Sequence, residues 1–480
     1  MSASPRSATA HFAESIPLGL EDLSTTGVEP TADALIRMTE AAEKTIDLTA
    51  MYWTLRTNPD HAPDEEGWSK ESLEGECGAA RGEALFQALD AAAGRGVHIR
   101  ILESPGFTRG VVPESEALRS AHPDRVTGKS IDMGDWFGSG IMHQKIWVLD
   151  GHAVYIGSAN MDWKSLTQVK ELGVVVEQAP DVAREVTRYF ETWWTFASLD
   201  PTAGNTVVVL DGRSQMERKV PAWSPIVPPG QAIPNPLDVE ALRTDHSWER
   251  PLDWSADGED GHLVLSGAPV ELCVGDRESD ADLLAKTILD ASESVCINVM
   301  DWAPVSLYRG TYDADTGKYM VGTDVASPVW WPALIDALLE VVMTKQVHGR
   351  LLVGEWAHTS PFIRPFLGAL DAAAQAAFAK PSMTSGRLEI RRFRVPGWRA
   401  TGPKKPGRPA PRFPGHTRVN HAKYIVTDRR INVGTSNMTW DYFNGTAGTS
   451  FNATQPSLVK QLQKIFDRDW ASYYALPIGS

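Results

Sequence analysis

Two short stretches of this sequence place histidine, lysine and aspartate at the same spacing. HQKIWVLD spans residues 143–150 and HAKYIVTD spans residues 421–428, so both read H-x-K-x4-D. GSAN (157–160) follows the first stretch, and GTSN (434–437) follows the second at a similar distance. A single histidine in a strand is usually an ordinary polar residue. Two copies of the motif, each followed by the same G-[ST]-x-N pattern, indicate a site that performs chemistry.

The residue types in the two copies suit phosphoryl transfer. Residues two apart in a strand project from the same face, so each histidine should project together with the lysine that follows it. Ammonium groups and asparagine amides can hold the oxygens of a phosphate. One imidazole can attack phosphorus to form a covalent intermediate, while the other protonates the leaving oxygen and then activates water. The predicted catalytic residues, expected at one composite site, are His143, Lys145, Asn160, His421, Lys423 and Asn437.

The aspartates that end the two motifs are predicted to be structural. Asp150 and Asp428 each close an apolar stretch, and we expect them to anchor the site through a buried hydrogen bond or ion pair. No HExxH pattern, aspartate cluster or Cys/His ligand pattern lies near the motifs. No metal or other cofactor is therefore expected.

One further carboxylate is predicted to divide the roles of the two histidines. Glu171 follows GSAN, and a carboxylate that holds the Nδ1 proton of an imidazole makes its Nε2 a better base and nucleophile. If Glu171 holds His143, then His143 is the better nucleophile and His421 the better acid. Two alternatives stay open: Glu171 serves His421, or it pairs with Lys170 or another cation.

Small and aromatic residues near the motifs are candidate contacts to a substrate. The small residues of GSAN and GTSN allow a ligand to approach the backbone closely. DWFGSG (135–140) is typical of a loop just before the first motif, although core packing explains most of the 17 tryptophans equally well. The candidate contacts are Ser158, Ser436, Trp136, Tyr52 and Trp53.

The elements that must position these residues come from a duplication. TIDLTAMYW (45–53) resembles SVCINVMDW (294–302), and YFETWW (189–194) resembles IFDRDW (465–470), so five matches including the motifs run in the same order. Strand-like and helix-like segments alternate in each half, which predicts an α/β fold of two pseudo-symmetric α-β-α sandwich halves. We expect an N-terminal segment (1–29), a first half (30–200), a connecting segment over the surface (201–285) and a second half (286–475).

Composition limits the classes of protein and partner. A net charge of −15 does not favour nonspecific adhesion to nucleic acid or anionic membranes. Three scattered cysteines suit a reducing compartment, and no apolar run resembles a signal peptide or membrane span, so we expect a cytoplasmic protein. Residues 387–430 hold 13 Lys or Arg and two acids, a net +11 directly before the second motif. This window is either a funnel for a polyanion or a solvated loop.

The motifs resemble those of the phospholipase D superfamily, whose signature is the duplicated HKD motif. ESIPLGL (14–20), GSANMDWKSLTQVKELGVVV (157–176), GTSNMTWDYFNGTAGTS (434–450) and FDRDW (466–470) look like one branch, the endolysosomal 5′ exonucleases that bear phospholipase D names. The resemblance implies degradation of single-stranded DNA and RNA. Those proteins carry an N-terminal anchor and disulfides, neither of which is seen here, so their compartment is not carried over.

Three functions remain open from the sequence. The favoured one is a 5′-to-3′ exonuclease on single-stranded nucleic acid that works through phosphohistidine. The first alternative is a phospholipase D or transphosphatidylase on phospholipids, and the second is a nucleic-acid-binding protein without turnover. A chain that contains both motifs needs no protein partner to complete its site, so monomer and homodimer both fit.

Overall fold

The computed structural model describes residues 7–24, 27–105, 114–211, 214–307, 310–313, 318–321, 329–378 and 387–479. Within these ranges the chain forms two large sheets, one of eight strands and one of ten, and both are covered by helices on both faces. The predicted α/β fold of two sandwich halves is confirmed.

The first half is built on the eight-stranded sheet, counted over the described residues. Its elements are β1 (Thr9–Ser15), β2 (Glu29–Pro30), α1 (Thr31–Ala41), β3 (Thr45–Ala50), β4 (Trp53–Thr54), α2 (Lys70–Gly75), α3 (Ala80–Gly94), β5 (His98–Glu103), α4 (Glu114–Ala121), β6 (Val126–Ser130), α5 (Met133–Phe137), β7 (Ile146–Leu149), β8 (Ala153–Gly157), β9 (Met161–Asp162), α6 (Trp163–Thr167), β10 (Glu171–Glu177) and α7 (Pro180–Phe196). The strand order is β2-β1-β10-β8-β7-β3-β5-β6, with β3, β5 and β6 parallel.

The connecting segment and the second half follow. Their elements are β11 (Gly204–Asp211), β12 (Ser214–Pro221), β13 (Leu252–Ala256), β14 (Glu259–Ala268), β15 (Glu278–Ser279), α8 (Asp280–Leu289), β16 (Ser294–Val299), β17 (Gly310–Asp313), β18 (Lys318–Val321), α9 (Ala333–Thr344), β19 (His348–Gly354), α10 (Ile363–Phe378), β20 (Arg387–Phe393), β21 (Tyr424–Thr427), β22 (Ile431–Gly434), α11 (Trp440–Asn444), β23 (Gly448–Ala453), α12 (Pro456–Ala471) and β24 (Ala475–Pro477). The main path of the second sheet is β13-β14-β23-β22-β21-β16-β19-β20-β24.

The strand that follows the first motif shows why the halves fold as sandwiches. Ile146 and Val148 lie in a core shared with α7, whereas Trp147 and Leu149 lie in the core under α1 and α3. Because side chains alternate between the faces of a strand, an all-apolar strand must be covered on both sides. The core that contains α7 also contains α12 and one face of the second sheet, so it joins the two halves.

Two segments differ from their expected places. β1, in the predicted N-terminal segment, pairs along its whole length with β10 and completes the first sheet. β13 and β14, in the predicted connecting segment, extend the second sheet beyond β23. The run from Leu263 to Leu265 is buried there, where β14 lies between β13 and β23. In the described part of the chain, no helix combines the length and apolarity needed to cross a membrane.

Candidate active site

The two motif histidines come from opposite halves and meet at the junction. The ring centroids of His143 and His421 are 6.1 Å apart, with the ring planes at 70°. The backbone N–H of His143 donates to the Ala447 carbonyl at 3.3 Å, and that of His421 donates to the Lys170 carbonyl at 2.8 Å. Ala447 and Lys170 directly precede β23 and β10, so each histidine is held by the other half of the chain.

The motif lysines lie beside the histidines and are buried with them. The ammonium group of Lys145 donates to the His143 carbonyl at 2.6 Å, and that of Lys423 donates to the His421 carbonyl. Burial, followed by the charge of Lys423, lowers the pKa of Lys145 well below its usual value. Burial also lowers the pKa of Lys423 to about 7, against an opposing effect of Glu171. An anion bound between these ammonium groups would relieve both their desolvation and their mutual repulsion.

The two motif asparagines are oriented by unlike partners at equivalent places in the repeat. The amide nitrogen of Asn160 lies 3.4 Å from the hydroxyl oxygen of Tyr52, which itself donates to a carboxylate oxygen of Asp162 at 2.9 Å. The amide of Asn437 donates to Asp301 at 3.0 Å. Tyr52 and Asp301 hold the same position in MYW and MDW. Each half therefore binds its asparagine from the same place, but with a hydroxyl group in the first half and a carboxylate in the second.

Glu171 holds the histidine of the opposite half. Its carboxylate oxygens lie 2.8 and 3.0 Å from Nδ1 of His421, and its side chain is buried. The hypothesis that it holds His143 is wrong, because β10 runs toward the second motif at the junction. The alternative of a pair with Lys170 is also wrong, because the Lys170 ammonium group binds Glu14 and Asp469.

In the described part of the chain, a backbone carbonyl rather than a carboxylate orients His143. Its Nδ1 lies 2.9 Å from the Thr435 carbonyl oxygen, which requires the proton on Nδ1. The Tyr442 ring packs edge-on against the imidazole, with centroids 5.1 Å apart. Both contacts leave Nε2 as the atom that is free to take or give a proton.

The two imidazoles share a low proton affinity. Burial, followed by the charges of Lys145 and Lys423, lowers the pKa of His143 well below its usual value. Burial lowers the pKa of His421 to about 4, although Glu171 opposes the shift. Both rings are therefore neutral near pH 7 when no anion is bound, and a bound phosphodiester would raise the pKa of each ring.

A glycine explains why, among the described residues, only the first half supplies a carboxylate to a motif histidine. Leu172 and Thr449 hold equivalent positions, because each accepts a backbone N–H at its carbonyl oxygen, Leu172 from GSAN and Thr449 from GTSN. The residues directly before them, Glu171 and Gly448, are therefore equivalent as well. A Cβ atom at position 448 would lie 2.1 Å from the Ser436 hydroxyl oxygen. The second half has no room for a side chain where the first half places its acid.

The aspartates that end the motifs bind backbone at the far end of the strands. Asp150 accepts N–H groups of Glu43, Lys44 and Thr45 at 2.8 Å each. Asp428 accepts the N–H groups of three consecutive residues and a hydroxyl group in the same manner; they are Ser292, Glu293 and Ser294, with the hydroxyl from Ser292. Each carboxylate fixes the start of the strand beside its motif.

A buried charge network lies directly beside the Glu171–His421 pair. Lys170 binds Glu14 at 2.9 Å and Asp469 at 2.7 Å, and Arg468 binds both acids. The charges therefore cancel in the interior, because two positive groups meet two negative ones. These groups come from β1, α12 and the segment before β10. This network ties together the two halves next to the site.

Four of the five predicted substrate contacts are part of the protein interior. Trp136 is 3% exposed and packs on Phe196 and Trp223, and Trp53 is 2% exposed beneath the first sheet. Their prediction as substrate contacts is wrong, because the apolar rings gain more from the core. The serine prediction is wrong as well: the hydroxyl of Ser158 donates to the Leu172 carbonyl, and that of Ser436 donates to Asp280. Tyr52 alone among the five lies against a motif residue.

The cationic window is divided by the fold. Arg392 and Arg394 bind Glu355, Arg430 binds Asp290, and Arg418 donates to backbone carbonyls. Residues 396–418, here called the basic loop, rest on the first half, where the Lys404 N–H donates to the Glu66 carbonyl at 2.8 Å. Its exposed cations are Arg399, Lys405, Arg408 and Arg412.

Sequence reasoning missed three groups at the site. They are the Thr435 carbonyl, Asp301 and the role of Tyr442. The repeat carried a signal for Asp301, since MDW aligns with MYW, but a backbone carbonyl leaves no trace in residue types. Among the described residues, no three His, Cys, Asp or Glu side chains converge as a metal site requires.

Comparisons with known proteins agree with this architecture. Residues 69–194 match the family model described as cardiolipin synthase, PLD-like domain, and residues 246–397 match that described as PLD3/4, PLD-like domain. The 5′-3′ exonuclease PLD3 of Rattus norvegicus is 31% identical over 97% of this chain and 80% of its own length. Phospholipase D Y of Dictyostelium discoideum is 30% identical over 98% of this chain and 92% of its own.

A solved structure shares the fold at low sequence identity. The phosphatidylserine synthase of Haemophilus influenzae superposes with a TM-score of 0.51 at 11% identity, covering 93% of this chain and 85% of that one. Two family models, relatives along nearly the whole chain and a common fold point the same way. The chain belongs to the phospholipase D superfamily, in the branch of the 5′-3′ exonuclease PLD3.

Proposed function

We propose that this protein is a metal-independent 5′-to-3′ exonuclease that hydrolyses single-stranded DNA or RNA through a phosphohistidine. The observation that carries the proposal is the meeting of His143 and His421 across the junction, with ring centroids 6.1 Å apart. Two imidazoles at this separation can flank one phosphorus atom, as in-line attack requires. Relatives named 5′-3′ exonuclease, 30–31% identical over 97% of the chain, favour nucleic acid as the substrate.

The first step uses the two imidazoles differently. Nε2 of His421 attacks phosphorus while Glu171 stabilises the charge that develops on the ring. The bond from phosphorus to the leaving oxygen breaks, and Nε2 of His143 gives that oxygen a proton. His143 acquires this proton when the bound diester raises its pKa.

The second step returns the site to its starting state. Nε2 of His143, now neutral, takes a proton from water, and the resulting hydroxide attacks the phosphohistidine. The bond between phosphorus and His421 breaks and the phosphate product leaves. Lys145, Lys423 and the two asparagine amides hold the non-bridging oxygens throughout, and the charge of the lysines and the N–H dipoles of the amides stabilise the transition state.

A second candidate is a phospholipase D acting on lipid head groups. It is favoured by the names of relatives such as phospholipase D Y, at 30% identity over 98% of the chain. Its chemistry at phosphorus would be the same. The exposed cations of the basic loop beside the second motif favour a polyanion instead.

One experiment separates the candidates. The protein is incubated in EDTA with single-stranded oligonucleotides labelled at either end and, separately, with phosphatidylcholine vesicles. We expect the 5′ label to appear in the first product and the 3′-labelled strand to shorten progressively. His143→Ala should abolish the release of the 5′ label and the shortening of the strand. Release of choline without nucleotide release would replace the proposal by the phospholipase. Loss of activity in EDTA with recovery on added Mg²⁺ or Zn²⁺ would refute the metal-independent mechanism.

A further inference from the structure

Three aromatic rings form a cluster at the rim of the site. They belong to Trp356, His358 and His416 and are called here the ring cluster. The two imidazoles stack at 4.6 Å between centroids with planes 5° apart, and the indole meets His358 edge-on at 4.7 Å. His358 and His416 are exposed, and Trp356 is partly buried.

The ring cluster lies beside the catalytic residues. β16 and β19 are parallel neighbours, so the residues after them, Met300 and Trp356, emerge at the same edge of the sheet. The Met300 sulfur lies 4.0 Å from the amide nitrogen of Asn437, and Trp356 packs against a cluster that contains Met300. Gly354 is so close to the chain before His421 that a Cβ atom there would lie 2.7 Å from the Asn420 carbonyl oxygen. One side chain therefore separates the site from the indole.

The ring cluster is held by both halves. Nδ1 of His416 lies 2.9 Å from a carboxylate oxygen of Asp64 in the first half, and the backbone N–H of Trp356 donates to the Thr359 hydroxyl at 2.8 Å in the second half. Burial, then the charge of His416, lowers the pKa of His358, so this ring is neutral near neutral pH. A fixed, neutral, exposed aromatic face at the carboxyl ends of parallel strands is where a ligand of an α/β protein binds.

We propose that the ring cluster is a stacking subsite for a nucleobase next to the phosphate held by the two motifs. The inference rests on the proposed function and specifies how the strand is held. Every base offers a planar face to an aromatic ring, so stacking there tolerates sequence. His416 lies at the end of the basic loop, whose exposed cations can follow the sugar-phosphate backbone leading to the cluster.

The test uses the full chain and His358, the exposed member of the ring cluster that binds no carboxylate in the described structure. KM and kcat are measured on a single-stranded oligonucleotide and on matched strands in which one of the first three nucleotides is abasic. His358→Ala should raise KM about fivefold or more with a smaller change in kcat, because stacking is lost. His358→Phe should restore KM. On the strand that lacks the stacked base, the effect of His358→Ala should fall below twofold.

The matched control is His262→Ala, an exposed histidine on β14. It should change KM less than twofold on every strand. Equal effects of His358→Ala on all strands, or no effect on any, would overturn the subsite while the wild-type exonuclease activity upholds the proposed function. Failure of the wild-type protein to shorten any strand would overturn both.

Discussion

Glu171 reaches across the junction of the two halves to bind His421, with carboxylate oxygens 2.8 and 3.0 Å from Nδ1. Among the described residues, the equivalent partner of Nδ1 of His143 is the backbone carbonyl of Thr435. The pseudo-symmetry of the chain therefore stops at its own active site. A carboxylate behind one imidazole and none behind the other gives the two histidines different strengths as bases.

The division of roles predicts which histidine carries the intermediate. A substrate with a good leaving group, such as a nucleotide p-nitrophenyl ester, needs little help from an acid. With it, His143→Ala should accumulate a phosphohistidine at position 421, seen by mass spectrometry after rapid acid-free quenching. His421→Ala should accumulate none. Trapping on His143 in the second variant would reverse the assignment and leave the pair intact.

Removing the charge of Glu171 should weaken the nucleophile. Glu171→Gln keeps the shape of the side chain, and we expect kcat to fall about 10- to 100-fold, as is usual when the partner of a functional imidazole is lost. Since Glu171 opposes the lowering of the His421 pKa, the variant should also move the acidic limb of the pH profile downward. Glu177→Gln, on the same strand, is the control and should act like the wild type. A variant with unchanged kcat would contradict the role given to Glu171.

The pH dependence of kcat/KM should be a bell with acidic to neutral limits. His421, with a pKa of about 4 in the free protein, is neutral and able to attack above that value. Lys423, with a pKa of about 7, is charged and able to hold phosphate below that value. The rate should therefore rise near pH 4 and fall by about pH 7 at the latest, because His143, the acid of the first step, also has a lowered pKa in the free protein. A rate that keeps rising through pH 8 would show that Lys423 is not the group that limits binding.

The buried network beside the site should govern stability. Glu14→Gln removes one of the two acids that bind Lys170 and Arg468, and removing one partner of a buried pair costs about 3–5 kcal/mol. Burial raises the pKa of Glu14, but Lys170 and Arg468 outweigh it and the net pKa is lowered. Glu14 therefore makes its full contribution to the free energy of unfolding at pH values above its pKa in the unfolded chain. That contribution is lost as the pH falls through its lower pKa in the folded protein.

Urea unfolding can check this prediction. The difference between Glu14→Gln and wild type should be largest near pH 7 and should shrink below about pH 4. Glu29→Gln, which breaks a half-exposed pair with Arg37, should cost about 1 kcal/mol or less. Equal losses from the two variants would show that the buried network adds nothing beyond a surface ion pair.

The sequence by itself determined the fold class, the duplication and the six motif residues at the site. These features follow from local rules. Apolar runs fix strands, helical periodicity fixes the covering helices, and a repeated H-x-K-x4-D places the same side chains at equivalent points of two similar sheets. Because equivalent points of paired sheets meet at their junction, the convergence of His143 and His421 was predictable.

Only the tertiary structure decided which groups act on each histidine and which aromatic residues are exposed. Glu171 follows the first motif in sequence but binds the second, since its partner depends on how two sheets dock across 250 residues. Trp136 is buried by Phe196 and Trp223, whereas His358 and His416 stand at the rim. Residue type alone does not tell a buried aromatic ring from an exposed one, because burial is decided by long-range packing of the whole chain.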